Sequence, residues 1–165
     1  MSEQTYKIAI GGGKNLALCE NKEYTWDVLV EKLTTHKKSE TKTGVWFVGG
    51  QVKGVKRSDS EMISRSLLVY DIDNSGMTLA ALQYELLMTL DCAFLAYSTF
   101  SHSDDHAKIR VVIPLSKTVS PSQYKTLSIR VADEIGIPVD PASHVASQAM
   151  FSVQCEYRVN AGWWC

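Results

Sequence analysis

From Leu67 onward the apolar positions alternate between a period of two and a period of about 3.6, the spacings of strands and helices. Leu67 to Asp73 is an apolar run that ends in two carboxylates at i and i+2, Asp71 and Asp73, before the turn residues Asn74-Ser75-Gly76. Thr78 can cap a helix that carries Leu79, Leu82, Leu86, Leu87 and Leu90 on one face. Ala93 to Phe100 predicts a second strand, Ser101 to His106 a polar turn, and Ile109 to Leu115 a third strand returning antiparallel. Ser120-Pro121-Ser122-Gln123 combines an N-cap, a proline at the first helical position and a capping box. Tyr124, Leu127, Val131 and Ile135 face inward along the helix it starts, Gly136 and Pro138 stop it, and a last strand is predicted near Ala149 to Val153. The order β-α-β-β-α-β predicts an α+β fold on the ferredoxin-like split βαβ plan, also called RRM-like. Two helices then cover one face of four antiparallel strands and leave the other face free for a ligand.

The N-terminal part is less regular. Tyr6 to Ile10 predicts a short strand. Gly11-Gly12-Gly13-Lys14 matches neither G-x-x-x-x-G-K-[ST] nor G-x-G-x-x-G, so it is a flexible turn and not a phosphate loop. Thr25 can cap an amphipathic helix with Trp26, Leu29, Val30 and Leu33 at i, i+3, i+4 and i+7, where Trp26 is a packing residue. Thr34 to Thr43 is polar loop, and Val45 to Val48 is a strand that enters a Gly49-Gly50 turn. With 165 residues, 45% of them hydrophobic, the chain suits one domain. Residues 1–65 form an α/β extension and residues 66–159 a palm-like core. No apolar run reaches the length of a membrane span and no signal-peptide core follows Met1, so a cytoplasmic protein without membrane contact is expected. Cys19, Cys92, Cys155 and Cys165 show no C-x-x-C spacing, which predicts free thiols, mostly buried, and no zinc ribbon.

Charge adds a second theme to this frame. From His36 to Ser66 there are seven basic residues against three acidic ones, a local +4 in a chain whose net charge is −1. Lys53, Lys56, Arg57 and Arg65 lie in that stretch and are candidates for holding DNA phosphates; a solvated basic loop explains the same count.

The candidate chemistry sits at the end of the first core strand. Side chains at i and i+2 leave the same face of a strand, so Asp71 and Asp73 point together while Ile72 points to the core. Two carboxylates that close repel each other unless a cation lies between them, and Mg²⁺ or Mn²⁺ takes such ligands together with substrate phosphates. A strand end whose aspartates cap the following turn fits the same two residues. In the split βαβ plan the first and third strands are neighbours, which brings Arg110 beside the pair, with His102 and Lys108 on the turn before it. Such a convergence predicts a site for metal-bound triphosphate. Asp140, which leads into the last strand, is the natural third acid or else a turn residue before Pro141.

At these residues the chain resembles the catalytic domain of the archaeo-eukaryotic primase superfamily, the primase-polymerases, and in particular the versions found in phages, plasmids and integrated elements. The likeness is carried by Val45-Trp46-Phe47-Val48-Gly49-Gly50 through Lys56-Arg57 to Arg65-Ser66-Leu67-Leu68-Val69-Tyr70-Asp71-Ile72-Asp73. Ala96-Tyr97-Ser98-Thr99-Phe100-Ser101-His102, Ile109-Arg110-Val111-Val112-Ile113-Pro114-Leu115 and Val139-Asp140-Pro141 continue it. The resemblance implies a nucleotidyltransferase, a DNA primase or polymerase that uses Mg²⁺ or Mn²⁺ held by Asp71, Asp73 and Asp140. It places His102, with Ser98, Lys108 and Arg110, on the incoming NTP or dNTP. It also implies a DNA template and primer as partners and a replicative helicase, as a further domain or a separate protein, since relatives usually continue into one. Two alternatives stay open. An RRM-like nucleic-acid-binding module shares the order of elements but stacks bases on aromatics of its first and third strands, and Ile109 to Ile113 has none. A metal-dependent nuclease could use the same acids. His102 and His106 have H-x-x-x-H spacing, but zinc binding at that spacing needs a helix, and Ser103-Asp104-Asp105 reads as a turn.

Overall fold

A computed structural model describes residues 4–13, 16–35, 44–103, 105–152 and 160–163, the last of these as backbone only. Lys14, His36, Lys37, Lys38, Lys42, Asp104, Cys155 and Cys165 lie outside the described residues, as does Val153 at the end of the last predicted strand. The chain runs β1 (Thr5–Gly11), β2 (Cys19–Thr25), α1 (Trp26–Thr34), β3 (Trp46–Val48), β4 (Gly50–Val52), β5 (Met62–Ile72), α2 (Leu79–Thr89), β6 (Phe94–Ser98), β7 (Ile109–Val119), α3 (Pro121–Ile135), β8 (Met150–Phe151) and β9 (Asn160–Trp163). Two antiparallel sheets result, one ordered β2-β1-β3-β8 and the other β4-β5-β7-β6-β9.

Local signals explain α2 and α3, whereas Thr25 at the start of α1 makes no side-chain cap bond. Thr78 Oγ1 accepts from the Ala81 N–H, as its place before α2 predicts. At α3, Ser120 and Gln123 complete the capping box, Pro121 begins the helix, and Gly136 ends it with φ 69° in the left-handed region that a side chain would resist. The α+β class and the β5-α2-β6-β7-α3 succession match the reading of the sequence. Strand β7 lies between β5 and β6, as the split βαβ plan requires.

The end of the chain departs from that plan. Strand β8 does not extend the central sheet; it pairs with β3 in the other sheet, Trp46 against Phe151 and Phe47 against Met150. The outer edge of β5 is instead closed in two pieces. Strand β4 pairs along residues 62–65, and the segment after Asp140 bonds to Asp71 further on. The Gly49-Gly50 turn is thus part of the packing against β5. A Cβ on Gly50 would collide with the Ser64 carbonyl, so only glycine lets β4 approach.

Alternation along the central strands separates two apolar clusters. Leu68, Tyr70, Ile72, Ala96, Val111 and Ile113 meet Leu82 and Leu86 of α2 and Tyr124, Ala132 and Ile135 of α3. On the other face Leu67, Val69, Leu95, Tyr97 and Val112 pack with Tyr6, Ile8, Phe47, Met150 and with Leu29 and Leu33 of α1. The second face is therefore not free, as the order of elements alone suggested. The extension covers it, because its own apolar residues need a partner surface.

Candidate functional site

The carboxylate pair sits where that second cluster gives out. Asp71 continues the Leu67, Val69 side of β5, away from α2 and α3, and Asp73 follows two residues later, just past the strand. Register then builds a row across three strands: Asp71 faces Arg110 on β7, and Arg110 faces Tyr97 on β6. The row is charged and nearly enclosed, with side-chain exposure of 20% for Asp71 and 7% for Arg110.

Arg110 is committed within the structure. Its Nε donates to Asp71 Oδ1 at 2.6 Å and its Nη2 to Asp71 Oδ2 at 3.0 Å, a two-pronged pair, while Nη1 donates to the Phe151 carbonyl at 2.6 Å. The last bond joins the two sheets, since Phe151 belongs to β8. Burial works against the Arg110 charge, yet Tyr97 and Asp71 outweigh it and hold the guanidinium's pKa above its ordinary value. The Tyr97 ring lies 5.9 Å from the guanidinium carbon. Its hydroxyl is buried without a hydrogen-bond partner of good geometry, and burial raises its pKa against the opposing pull of Arg110.

The other predicted residues divide. His102 is 8% exposed on the turn between β6 and β7, and its Nδ1 accepts from the Lys108 N–H at 3.1 Å. That bond assigns the neutral tautomer with the proton on Nε2, which leaves Nε2–H as a donor. Since Ile72 pairs with Ile109, this turn adjoins the end of β5, and extending the register sets Asp73 opposite Lys108. No hydrogen bond or ion pair joins Asp73 to another described residue. Asp140 comes to Asp71 by its backbone, its N–H donating to the Asp71 carbonyl at 2.8 Å, but its Oδ1 accepts from Ala142 N–H at 2.9 Å to cap the short 3₁₀ turn Pro141–His144. Among the described residues no group of three or more His, Cys, Asp or Glu side chains is placed to hold a metal.

Two assignments need correction. Arg65 is not a phosphate contact: it is 1% exposed, and its guanidinium donates to the carbonyls of Ala146 and Leu67 and to the Tyr124 hydroxyl. Its position in β5 faces the packed interior, a fact that charge counting does not register. Ser98 is 0% exposed and, by alternation with Ala96, lies on the α2/α3 side of β6, so it cannot meet a ligand at Asp71. Arg57 is tied as well, through the carbonyls of Leu16 and Ser147 and against the Trp46 ring. Lys53 and Lys56 are exposed. His106 is exposed too, and Ser103 and His106 exchange backbone bonds in a turn rather than the helix that H-x-x-x-H zinc binding needs.

Sequence reasoning missed Tyr97, Ser143 and the Phe151 carbonyl. Only strand register and the return of the chain after α3 reveal them. A cavity of about 520 Å³ between α1 and the first sheet, lined by Ile8, Leu29, Leu33 and Phe47 among others, includes none of the predicted site residues. Tyr24, Glu31 and Lys32 also line it, but it does not reach Asp71, Arg110 or Tyr97, so the row on β5, β7 and β6 is the candidate site.

The architecture is shared with a solved phage primase-polymerase domain. The chain is similar to the archaeo-eukaryotic primase domain of the cyanophage S-2L primase-polymerase, with a TM-score of 0.52 at 13% identity over 93% of this chain and 75% of that one. The VapE N-terminal domain matches residues 34–154, and the chain belongs to that family. No curated protein matches it. No helix among the described residues is long and apolar enough to cross a membrane.

Proposed function

We propose that this domain carries out template-directed nucleotidyl transfer on DNA, as the primase-polymerase component of a mobile element's replication machinery. The observation that supports the reading is Asp71 at the end of β5, with Asp73 two residues on, in a fold shared with a primase-polymerase domain. The donor chemistry fits Mg²⁺ or Mn²⁺. Asp73 is uncommitted, and a carboxylate that accepts two guanidinium bonds, as Asp71 does, keeps about two further lone-pair sites. When bound, the metal would lower the pKa of a primer 3′-hydroxyl and offset charge on the leaving triphosphate.

The remaining roles belong to the chain's own groups. Arg110 holds the Asp71 carboxylate in a fixed orientation before any cation arrives. His102 presents Nε2–H, and Lys108 a positive charge, for the phosphates of an NTP or dNTP. Lys53 and Lys56, both exposed, grip template or primer backbone in this reading, and a replicative helicase is the proposed partner. Asp140 completes the acidic set only if it gives up its cap on Ala142.

One observation favours a second reading, a nucleic-acid-binding domain that performs no transfer: both Asp71 oxygens are engaged by Arg110, and no third acid side chain joins them among the described residues. A labelled primer on a template, with Mg²⁺ or Mn²⁺ and either nucleotide set, separates the cases. Growth of the primer supports transfer, shortening supports a nuclease, and binding without either leaves the binding module.

A further inference from the structure

The backbone of Asp71 is held from outside the sheet. Its N–H donates to Ser143 Oγ at 3.0 Å and its carbonyl accepts from the Asp140 N–H at 2.8 Å. Both groups therefore point away from β7, which makes Asp71 and Arg110 a non-hydrogen-bonded pair of the ladder, the kind whose side chains come closest. Ser143 is in turn fixed from behind. It is 1% exposed, its carbonyl accepts from the Tyr124 hydroxyl at 2.7 Å, and that hydroxyl accepts from Arg65 Nη2 at 3.1 Å. Arg65 also reaches the Ala146 carbonyl at 2.7 Å, so the segment from Asp140 to Ala146 is gripped at two points by one buried frame.

That frame is an expensive way to fill space. A guanidinium 1% exposed, bonded only to neutral oxygens and set 3.9 Å over the Tyr124 ring, keeps its charge in the interior with no carboxylate among its described partners, and its Nε has no partner at all. An apolar residue would pack there at lower cost, so the arrangement calls for a role in specifying geometry. We infer that Ser143 is a positioning residue for the Asp71 carboxylate, with Tyr124 and Arg65 as the buried frame that holds Ser143 in place. Without the Ser143 hydroxyl the Asp71 N–H, at the outer edge of β5, loses its acceptor. The strand end then opens more readily and the carboxylate loses its set approach to Arg110. The catalytic consequence of this inference rests on the nucleotidyl-transfer reading; the positioning itself does not.

Nuclear magnetic resonance of the Arg110 Nε–H, the donor to Asp71 Oδ1, reads the positioning directly. Ser143→Ala should speed its exchange with solvent by about fivefold to tenfold, the worth of one hydrogen bond, while the Val111 and Val112 amides in mid-β7 stay protected. Ser143→Thr, which keeps the hydroxyl, should restore slow exchange, and Tyr124→Phe should give a smaller increase because it acts through Ser143. Unchanged Arg110 exchange in Ser143→Ala, or a rise shared equally by Val111 and Val112, would overturn the inference; should Ser143→Ala not fold, Tyr124→Phe decides on the same criterion. Titration of the same samples with Mn²⁺ tests the underlying reading separately. If the unmodified chain binds Mn²⁺, Ser143→Ala should bind it about tenfold more weakly, as loss of a supporting hydrogen bond does at metal sites, and equal affinity would count against Ser143. If the unmodified chain binds none, the metal reading fails and the exchange result alone judges Ser143.

Discussion

The two faces of the central sheet are built to different rules. On the α2/α3 side Leu68, Tyr70, Ile72, Val111 and Ile113 form a continuous apolar surface, and Leu82 and Leu86 seal it. On the opposite side the apolar surface of Leu67, Val69, Leu95 and Val112 stops halfway, and the row Asp71, Arg110, Tyr97 replaces it. The first face accounts for why the chain folds. The second carries a buried charge pair that packing alone would not require, and whatever chemistry the domain performs is therefore sought there.

The sharpest way to break this contrast is Arg110→Ala. It leaves Asp71, 20% exposed, facing a void, and should cost about 4 kcal/mol of stability, seen as an early thermal transition without any nucleotide. A normal melting point with weakened nucleotide binding would instead make Arg110 a phosphate contact. Leu82→Ala, on the other face, should cost about 3 kcal/mol through a cavity under α2. At temperatures where it stays folded, its affinity for primer-template should equal that of the unmodified chain, since Leu82 touches only the helix side.

The basic stretch gives a smaller, purely electrostatic effect. Neutralising Lys53 and Lys56, the exposed pair, should weaken DNA binding for all sequences and flatten the log-log salt dependence by up to about two units, at roughly 0.9 per lost phosphate contact. An unchanged slope would show a merely solvated loop. The smallest effect is expected at His144, whose Nδ1 lies 2.8 Å from Ser128 Oγ and whose pKa burial lowers. The unfolded chain takes up the proton more readily, so this contribution to stability is full above the ordinary histidine value of about 6.5 and is lost as pH falls below it. His144→Gln should accordingly flatten the fall in melting temperature between about pH 7 and pH 5, and a parallel fall would remove His144 from the account.

Much of the helix-covered face was legible from the residues, because it depends on local rules: the Thr78 cap, the Ser120-Gln123 box and the Gly136 stop each act within a few residues. The extension was harder. Strand β2, Cys-Glu-Asn-Lys-Glu-Tyr-Thr, buries only Cys19 and so carries no apolar period to detect, and β4 is three residues beginning with a glycine. The return of the chain to β3 through β8 depends on long-range pairing that no local pattern announces. At the site, the split βαβ plan anticipated Arg110 opposite Asp71, while Asp73 falls just past the strand. Burial was the hidden variable. Arg65 and Lys53 look alike as charges in a sequence, yet one is a core residue and the other meets solvent.

Asp73 offers the most direct test of the central claim, because it is the acid that no described neighbour engages and its loss should leave the fold intact. Primer extension by the unmodified chain and by Asp73→Ala, with Mn²⁺ or Mg²⁺ and both nucleotide sets, should show metal-dependent growth in the first. The second should lose at least about a hundredfold in rate at an unchanged melting temperature. Extension by Asp73→Ala at the unmodified rate, or no extension by the unmodified chain under any of these conditions, would contradict the account.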